Sequence, residues 1–230
     1  MYKARILYLE DDLDLGETTL DMFLREGYFV KWVKGGLDGL KAIEDDVFDI
    51  VVADIMMPQL DGYSFLQTIR EKGQQIPLIY LSARVLTEDI IKGFSIGADD
   101  YIRKPFSFDE LVVRIERLLK NNIPHQSSEK ETFSIGLYTF RRDTFELSWE
   151  VGKVILSPRL GEILFRFITS HDNILLRKKT LLDLWGDDSF FNGRSLDVFI
   201  SKLRKQLSGD PNIKIITIRG VGYKLVVSQQ

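Results

Sequence analysis

The 230-residue sequence contains no cysteine, which rules out disulfide bonds and thiolate chemistry. It contains only two histidines, His125 and His171, which are too few for a metal site built on imidazole ligands. No apolar run approaches the roughly 18 residues of a membrane span, and Met1 leads within a few residues into a strand-like segment rather than a signal peptide. We therefore expect a cytoplasmic protein with no part in the membrane.

Charge is plentiful but unevenly distributed. Residues 1–121 contain 15 Lys and Arg against 22 Asp and Glu, a balance of −7, and residues 122–230 contain 16 against 12, a balance of +4. An acidic half joined to a basic half suggests two domains, one of which has a polyanionic partner. The segment NNIPHQSSEKET (121–132) is polar and lacks hydrophobic periodicity. We predict domains at 1–121 and 132–230, joined by a linker at 122–131.

Short apolar runs alternate with helix-like segments throughout the first half. The predicted strands lie at 5–9, 28–33, 49–53, 77–81 and 100–103, and the predicted helices at 15–27, 36–46, 62–73, 87–97 and 108–121. Strands that alternate with helices indicate βαβ units and a parallel sheet covered on both faces. The first half is therefore predicted to be an α/β domain with a doubly wound, five-stranded parallel sheet.

Charged or hydroxyl side chains come directly after four of these strands. They are Glu10, Asp11 and Asp12 after the first, Asp54 after the third, Ser82 after the fourth and Lys104 after the fifth. Functional groups of open α/β sheets gather beyond the carboxyl ends of the strands. Converging carboxylates suit a hard cation such as Mg²⁺, and an ammonium group beside a hydroxyl suits a phosphoryl group. An aspartate in such a site can itself be a nucleophile.

The motifs LEDD, DIMMPQLDG, LSA and GADDYIRKPF follow one another in the first half, and through them residues 1–121 resemble the receiver domain of a two-component response regulator. The resemblance implies that Asp54 accepts a phosphoryl group from a sensor histidine kinase. It implies that Asp11, Asp54 and the backbone carbonyl of Met56 bind Mg²⁺, with Glu10 acting through water.

The same resemblance gives roles to the remaining residues at the strand ends. Lys104 would pair with the phosphoryl oxygens, and the peptide bond between Lys104 and Pro105 would be cis. Ser82 and Tyr101 would be the switch residues, drawn inward on phosphorylation. A receiver dimer would then form, with an interface that includes Asp99, Asp100, Glu110 and Arg114.

Two positions near that interface depart from the family pattern. Ile90 and Asn121 stand where basic residues are common, so the partners of Glu110 and Asp99 are in doubt. Lys120 or Arg117 is the substitute that we expect for Asp99, whereas a pair between Asp100 and Arg114 is retained.

The second half begins with alternating apolar and polar residues (132–157), which predict a small antiparallel sheet. Ser157 and Pro158 fit the first positions of a helix, and further helices are predicted at 177–186 and 193–209. The segment 213–227 is predicted to be a β-hairpin with a basic tip. Helices followed by such a hairpin suggest a winged helix-turn-helix that reads double-stranded DNA, although a solvated, charged helix face would show the same composition.

The segments RSLDVFISKLRKQL and TIRGVGYKL are similar to those of the OmpR/PhoB-type winged-helix effector domain. The resemblance covers residues from about 132 to 227, and it implies promoter DNA as a partner and RNA polymerase as a further one. Ser201 departs from it, because arginine is frequent at that position. The DNA-contacting residues predicted in this way are Arg194, Ser195, Val198, Ser201, Lys202, Arg204, Lys205, Thr217 and Arg219.

Two other functions share part of this pattern. A Mg²⁺-dependent phosphohydrolase could use Asp54 as its nucleophile, but the sequence shows no second carboxylate placed as a general acid and no substrate-cap segment. A regulator that only dimerises, without phosphorylation, would not need the complete set at the strand ends. We therefore predict a phosphorylation-controlled DNA-binding regulator that is not a turnover enzyme.

Overall fold

The computed structural model describes residues 2–83, 87–122 and 131–228, with side chains omitted for residues 87, 88, 90, 121 and 122. The chain divides into two compact units, residues 1–119 and 120–230. Most of the predicted linker and the side chains of Ile90 and Asn121 lie outside the described part.

The first unit is the α/β domain that the alternating pattern predicts. Its strands are β1 (Arg5–Leu9), β2 (Phe29–Val33), β3 (Ile50–Asp54), β4 (Leu78–Ser82) and β5 (Asp100–Arg103). Its helices are α1 (Leu13–Arg25), α2 (Gly36–Asp45), α3 (Gly62–Glu71), α4 (Thr87–Ile96) and α5 (Phe108–Asn122). All strand pairs are parallel, in the order β2-β1-β3-β4-β5. The predicted fold class is confirmed, and Asp54 and Ser82 prove to be the last residues of their strands.

Burial explains why the central strands are largely apolar up to their last residues, Asp54 and Ser82. Every residue of β3 and of β4 is buried, because helices cover both faces of the sheet. Two aspartates then start helices after the strands. Asp12 caps α1 by accepting from the Leu15 amide at 3.0 Å, and Asp61 caps α3 by accepting from the Ser64 amide at 2.6 Å. These two capping hydrogen bonds fix the starts of α1 and α3, close to the predicted site.

The second unit combines two antiparallel sheets with three helices. The four-stranded sheet consists of β6 (Thr132–Ile135), β7 (Tyr138–Arg141), β8 (Glu146–Trp149) and β9 (Gly152–Ile155). The helices are α6 (Pro158–Thr169), α7 (Arg177–Trp185) and α8 (Phe190–Gln206), and the second sheet has β10 (Ile174–Leu176), β11 (Ile213–Ile218) and β12 (Gly222–Val227) in the order β10-β12-β11. This is a winged helix-turn-helix with an N-terminal sheet.

Two local features of this unit differ from the sequence-based expectations. Strand β10 was not predicted, because three residues are too few to show a period. Ser157 occupies the N-cap position of α6, but its hydroxyl makes no capping hydrogen bond and is buried without a hydrogen-bond partner among the described residues. The proline at the first helical position therefore starts α6 without help from the serine side chain.

Gly62 allows the loop after β3 to fold back against the end of the strand. A β-carbon at this position would lie 2.5 Å from the Asp54 carbonyl oxygen and 3.0 Å from the Ile55 α-carbon, both backbone atoms. A β-carbon at Gly35, by contrast, would meet only one atom of the described residues within 4 Å, the Pro58 carbonyl oxygen at 3.7 Å. The two glycines thus differ in the space that a side chain would find.

We predict that Gly62→Ala lowers the free energy of unfolding of the first unit by about 1–3 kcal/mol, because backbone must shift to admit the methyl group. Gly35→Ser is the control, since space is available and serine suits the N-cap of α2. Urea unfolding followed by circular dichroism compares the two variants. Equal stability of Gly62→Ala and the parent would contradict the close approach described here.

Candidate functional site

Three carboxylates converge at the carboxyl edge of the parallel sheet. Ligand oxygens of Glu10, Asp11 and Asp54 all lie within 4.8 Å of one another. Glu10 is fully buried, Asp54 is 7% exposed, and Asp11 faces solvent. The β1 and β3 strands that deliver them are neighbours in the sheet, so a spacing of more than 40 residues in sequence becomes a single site.

Lys104 provides the opposite charge. Its ammonium nitrogen lies 2.5 Å from Asp54 Oδ2 and 2.7 Å from Glu10 Oε2. Burial acts against the lysine charge, but the two carboxylates outweigh it and raise the pKa of Lys104. The peptide bond to Pro105 is cis, as the resemblance implied.

Glu10 is the member of the cluster whose ionised carboxylate is least well stabilised. Burial raises the pKa of Glu10 to about 7, against the lowering effect of Lys104. Its second oxygen, Oε1, is buried and has no hydrogen-bond partner among the described residues. An unpaired buried carboxylate oxygen beside two further carboxylates is the environment that a hard cation relieves. The acidic cluster therefore fits a metal ion.

Met56 lies beside the cluster through its backbone. Its amide donates to Asp54 Oδ1 at 3.0 Å, while Lys104 bonds to the other oxygen of the same carboxylate. The Met56 side chain is 57% exposed. The two oxygens of Asp54 are thus held in different directions, which fixes the orientation of the carboxylate.

The two switch residues are both buried. Ser82 is 1% exposed and Tyr101 is 3% exposed, and the two side chains share a hydrogen bond. Burial raises the pKa of Tyr101, and the hydrogen bond from Ser82 opposes that effect. Tyr101 therefore occupies the inward position in this structure, and its movement on phosphorylation stays a prediction.

The structure alters the predicted dimer-interface set. Asp99 is fully buried, and the guanidinium beside it is that of Arg70 on α3, at 3.6 Å, rather than Lys120 or Arg117. Asp99 also accepts from the Leu78 amide at 3.1 Å. A carboxylate at this depth does not reach the surface, so Asp99 leaves the interface set.

The remaining interface residues form a network within the chain. Arg114 lies 3.1 Å from Asp100 and 2.9 Å from Glu110. Asp100 is buried, Arg114 is 9% exposed, and the Glu110 side chain is 42% exposed. The predicted pair between Asp100 and Arg114 is therefore present inside one chain, and Glu110 is the member that faces solvent.

The outward face of α8 carries a stripe of residues at helical spacing. Arg194, Ser201 and Lys205 are exposed and Val198 is half-buried, and the spacings of 4, 3 and 4 residues place them on one side. Thr217 and Arg219 on the hairpin are also exposed, while Lys202 is half-buried. Arg194, Ser201, Lys205 and Arg219 thus lie on the surface of the unit, and their contact with DNA stays a prediction.

Two of the predicted DNA-contacting residues are occupied within the unit. Ser195 is 1% exposed, and its hydroxyl donates to the Phe191 carbonyl at 3.2 Å, so its assignment as a DNA contact is wrong. Arg204 donates to the Ile215 carbonyl at 2.9 Å and to the Thr217 hydroxyl at 3.1 Å. Arg204 therefore braces α8 against β11.

A second set of contacts joins α8 to the start of α7 and to β12. Asp197 lies 2.5 Å from Arg177 Nη1 and also accepts from the Tyr223 hydroxyl, and Arg177 Nη2 donates to the Gly193 carbonyl at 2.8 Å. Burial acts to raise the pKa of Asp197, but Arg177 and Tyr223 together lower it. Sequence reasoning missed these contacts and the role of Arg70, because a charged residue reveals its partner only after folding.

Comparison with known proteins agrees with this architecture. Residues 6–116 match the response regulator receiver domain, and residues 152–225 match the C-terminal domain of transcriptional regulatory proteins. The fold and the site thus define a response regulator whose output domain is of the DNA-binding kind.

Individual relatives show to which family of response regulators the chain belongs. The chain is 41% identical over 229 residues to the transcriptional regulatory protein RprY of Bacteroides fragilis, covering 99% of this chain and 96% of the relative. It is similar to the crystal structure of DrrB, an OmpR/PhoB homologue of Thermotoga maritima, with 28% identity, a TM-score of 0.51 and coverage of 98% and 99%. A RitR mutant shares the fold, with a TM-score of 0.76 at 23% identity and coverage of 98% and 100%. The chain belongs to the OmpR/PhoB-type response regulators.

Helices in the described part of the chain are all too short or too polar to cross a membrane.

We predict that Arg70→Leu lowers the free energy of unfolding by about 3 kcal/mol, because it removes the positive charge beside the buried Asp99 carboxylate. Lys72→Leu is the control, since its partner Glu44 is solvent-exposed and such pairs stabilise little. Chemical denaturation of both variants measures the difference. A loss for Arg70→Leu no larger than for Lys72→Leu would mean that Asp99 does not depend on Arg70.

Proposed function

We propose that Asp54 accepts a phosphoryl group from a sensor histidine kinase and that this modification controls binding to promoter DNA. The observation that supports the proposal is the position of Asp54 at the end of β3, 2.5 Å from Lys104 and among three clustered carboxylates. In the transfer, an Asp54 oxygen bonds to phosphorus as the phosphorus–nitrogen bond of the phosphohistidine breaks. Lys104 then pairs with the phosphoryl oxygens.

Glu10, Asp11, Asp54 and the Met56 carbonyl are the groups that would hold Mg²⁺. The ion supplies charge neutralisation for the phosphoryl group during transfer. Met56 and Lys104 already hold the Asp54 carboxylate from two sides, so the nucleophile keeps one orientation. Promoter DNA and a kinase-borne phosphoryl group as partners imply a cytoplasmic protein.

The inward position of Tyr101 changes how the switch is proposed to work. Because Tyr101 already shares a hydrogen bond with Ser82, the phosphoryl group need only stabilise this arrangement by engaging the Ser82 hydroxyl. The effect is a shift in an existing equilibrium toward a receiver homodimer. Glu110, the exposed member of the α5 network, is the candidate for contact with the second protomer.

Dimerisation would raise DNA affinity without creating new contacts. Two receivers in one dimer bring two winged helices together, so the second DNA-binding event takes place at high effective concentration. Each winged helix would place Arg194, Val198 and Ser201 of the α8 stripe in the major groove, with Lys205 and Arg219 beside the phosphate backbone. RNA polymerase is the partner that promoter binding would bring next.

We predict that Asp54→Asn abolishes phosphorylation by acetyl phosphate, because an amide oxygen is a poor nucleophile. The side chain keeps nearly the same shape, so the fold should be retained. Phosphate-affinity gels and intact mass measure the modified fraction with Mg²⁺ present. Asp61→Asn is the matched control: it changes a carboxylate to an amide at the far end of the loop that follows Asp54, and asparagine also caps a helix. Modification of Asp54→Asn at the parent's stoichiometry would show that Asp54 is not the acceptor.

A second prediction separates DNA contact from bracing on α8. Lys205→Ala should reduce the slope of log affinity against log salt by about one unit, because one phosphate contact is lost, and should leave unfolding unchanged. Arg204→Ala should instead lower the free energy of unfolding by about 1–2 kcal/mol, since two hydrogen bonds to β11 disappear. Fluorescence anisotropy at several salt concentrations and thermal unfolding measure the two effects. An unchanged salt slope for Lys205→Ala would remove Lys205 from the DNA surface.

A further inference from the structure

Beyond the residues that touch the proposed metal, the structure assigns a positioning role to Trp32. We infer that Trp32 and Gly16 form a matched pair that fixes the acidic loop at Glu10 and Asp11, and that Mg²⁺ affinity depends on this pair. The inference rests on the proposed function, because it concerns the same Mg²⁺ site.

The peptide groups of Glu10 are held from the neighbouring strand β2. The last pair of the β1–β2 ladder is Leu9 with Val33, so Glu10 lies just beyond the regular strand. Its amide still donates to the Val33 carbonyl at 3.1 Å. Its carbonyl accepts from the indole nitrogen of Trp32 at 2.9 Å. A side chain thus replaces the backbone donor where the ladder ends.

Gly16 provides the space that the indole needs. A β-carbon at residue 16 would lie 2.1, 2.5 and 2.9 Å from three ring atoms of Trp32, which is far inside van der Waals contact. Gly16 belongs to the first turns of α1, where glycine is a poor helix former. The helix has a glycine where the tryptophan ring packs against it. Glycine at position 16 therefore leaves room for the Trp32 ring, and the ring accounts for the absence of a side chain at that position.

The consequence reaches the metal site through the backbone. Glu10 and Asp11 are consecutive, so the orientation of the Glu10 peptide determines where two of the three clustered carboxylates point. The Glu10 carboxylate itself is weakly anchored on one side, since Oε1 has no hydrogen-bond partner among the described residues. Partners outside the ligand shell commonly change metal affinity by about 10- to 100-fold. Trp32 would be such a partner, since its indole donates to the Glu10 carbonyl and not to a carboxylate of the cluster.

The test measures Mg²⁺ binding to the full chain by isothermal titration calorimetry, with no phosphodonor present. Trp32→Phe removes the indole N–H and keeps an aromatic ring, and we expect roughly tenfold weaker binding. Gly16→Ala should weaken binding to a similar degree even though alanine is the better helix former. Trp149→Phe, in the four-stranded sheet of the other unit, is the control and should bind as the parent does.

A double variant distinguishes the matched pair from two unrelated effects. In a Trp32→Leu background the ring is gone, so Gly16→Ala should cause no further loss of affinity. Additive losses would overturn the pairing, and unchanged affinity in both Trp32→Phe and Gly16→Ala would overturn the positioning role. If Trp32→Phe does not fold, Gly16→Ala decides alone, with unchanged affinity counting against the inference. A parent chain that binds no Mg²⁺ would instead refute the proposed metal site itself.

Discussion

The contact of Lys104 with Asp54 and Glu10 is the interaction on which the chemistry of the first unit depends. Three carboxylates this close repel one another strongly, and the repulsion grows as water is excluded. One half-buried ammonium group offsets part of it, and burial still raises the pKa of Glu10 to about 7. A divalent cation would offset more of the repulsion, so metal binding and ionisation of Glu10 must be linked. The first unit can therefore fold with this cluster in place, and the cluster still favours the binding of a further positive charge.

The same edge of the sheet connects the cluster to the switch. Asp54 pairs with Leu81 on β4, so Ser82 follows immediately beside the acceptor. Tyr101 on β5 is bonded to Ser82, and Tyr63 on α3 donates to the Asp89 carbonyl on α4 at 2.9 Å. Hydroxyl groups therefore lead from the acceptor strand toward α4. A change in charge at Asp54 can bias this arrangement without building a new one.

The sequence predicted the features that depend on local pattern or on a strand end. Alternating apolar runs gave the parallel sheet, and the residues after the strands gave the cluster of Glu10, Asp11, Asp54 and Lys104. Features that depend on which side chains meet after folding were not accessible. Arg70 is one of 31 basic residues, and nothing in the sequence couples it to Asp99. Gly16 did leave a trace, as a glycine inside a predicted helix.

The second unit uses much of its positive charge internally, and this constrains how it can bind DNA. Arg142 pairs with Glu162, Arg166 with Asp183 and Arg177 with Asp197, while Arg204 is bound to β11. The contacts of Arg177 and Arg204 hold α8 against β12 and β11, whereas the pairs of Arg142 and Arg166 lie around α6. Since phosphate contacts dominate affinity, the exposed Arg194, Lys205 and Arg219 are the cations that would set the affinity of a single unit for DNA. In the function proposed above, tight binding would come from two units acting together, and control of DNA binding would then lie in whatever brings two receivers into one dimer.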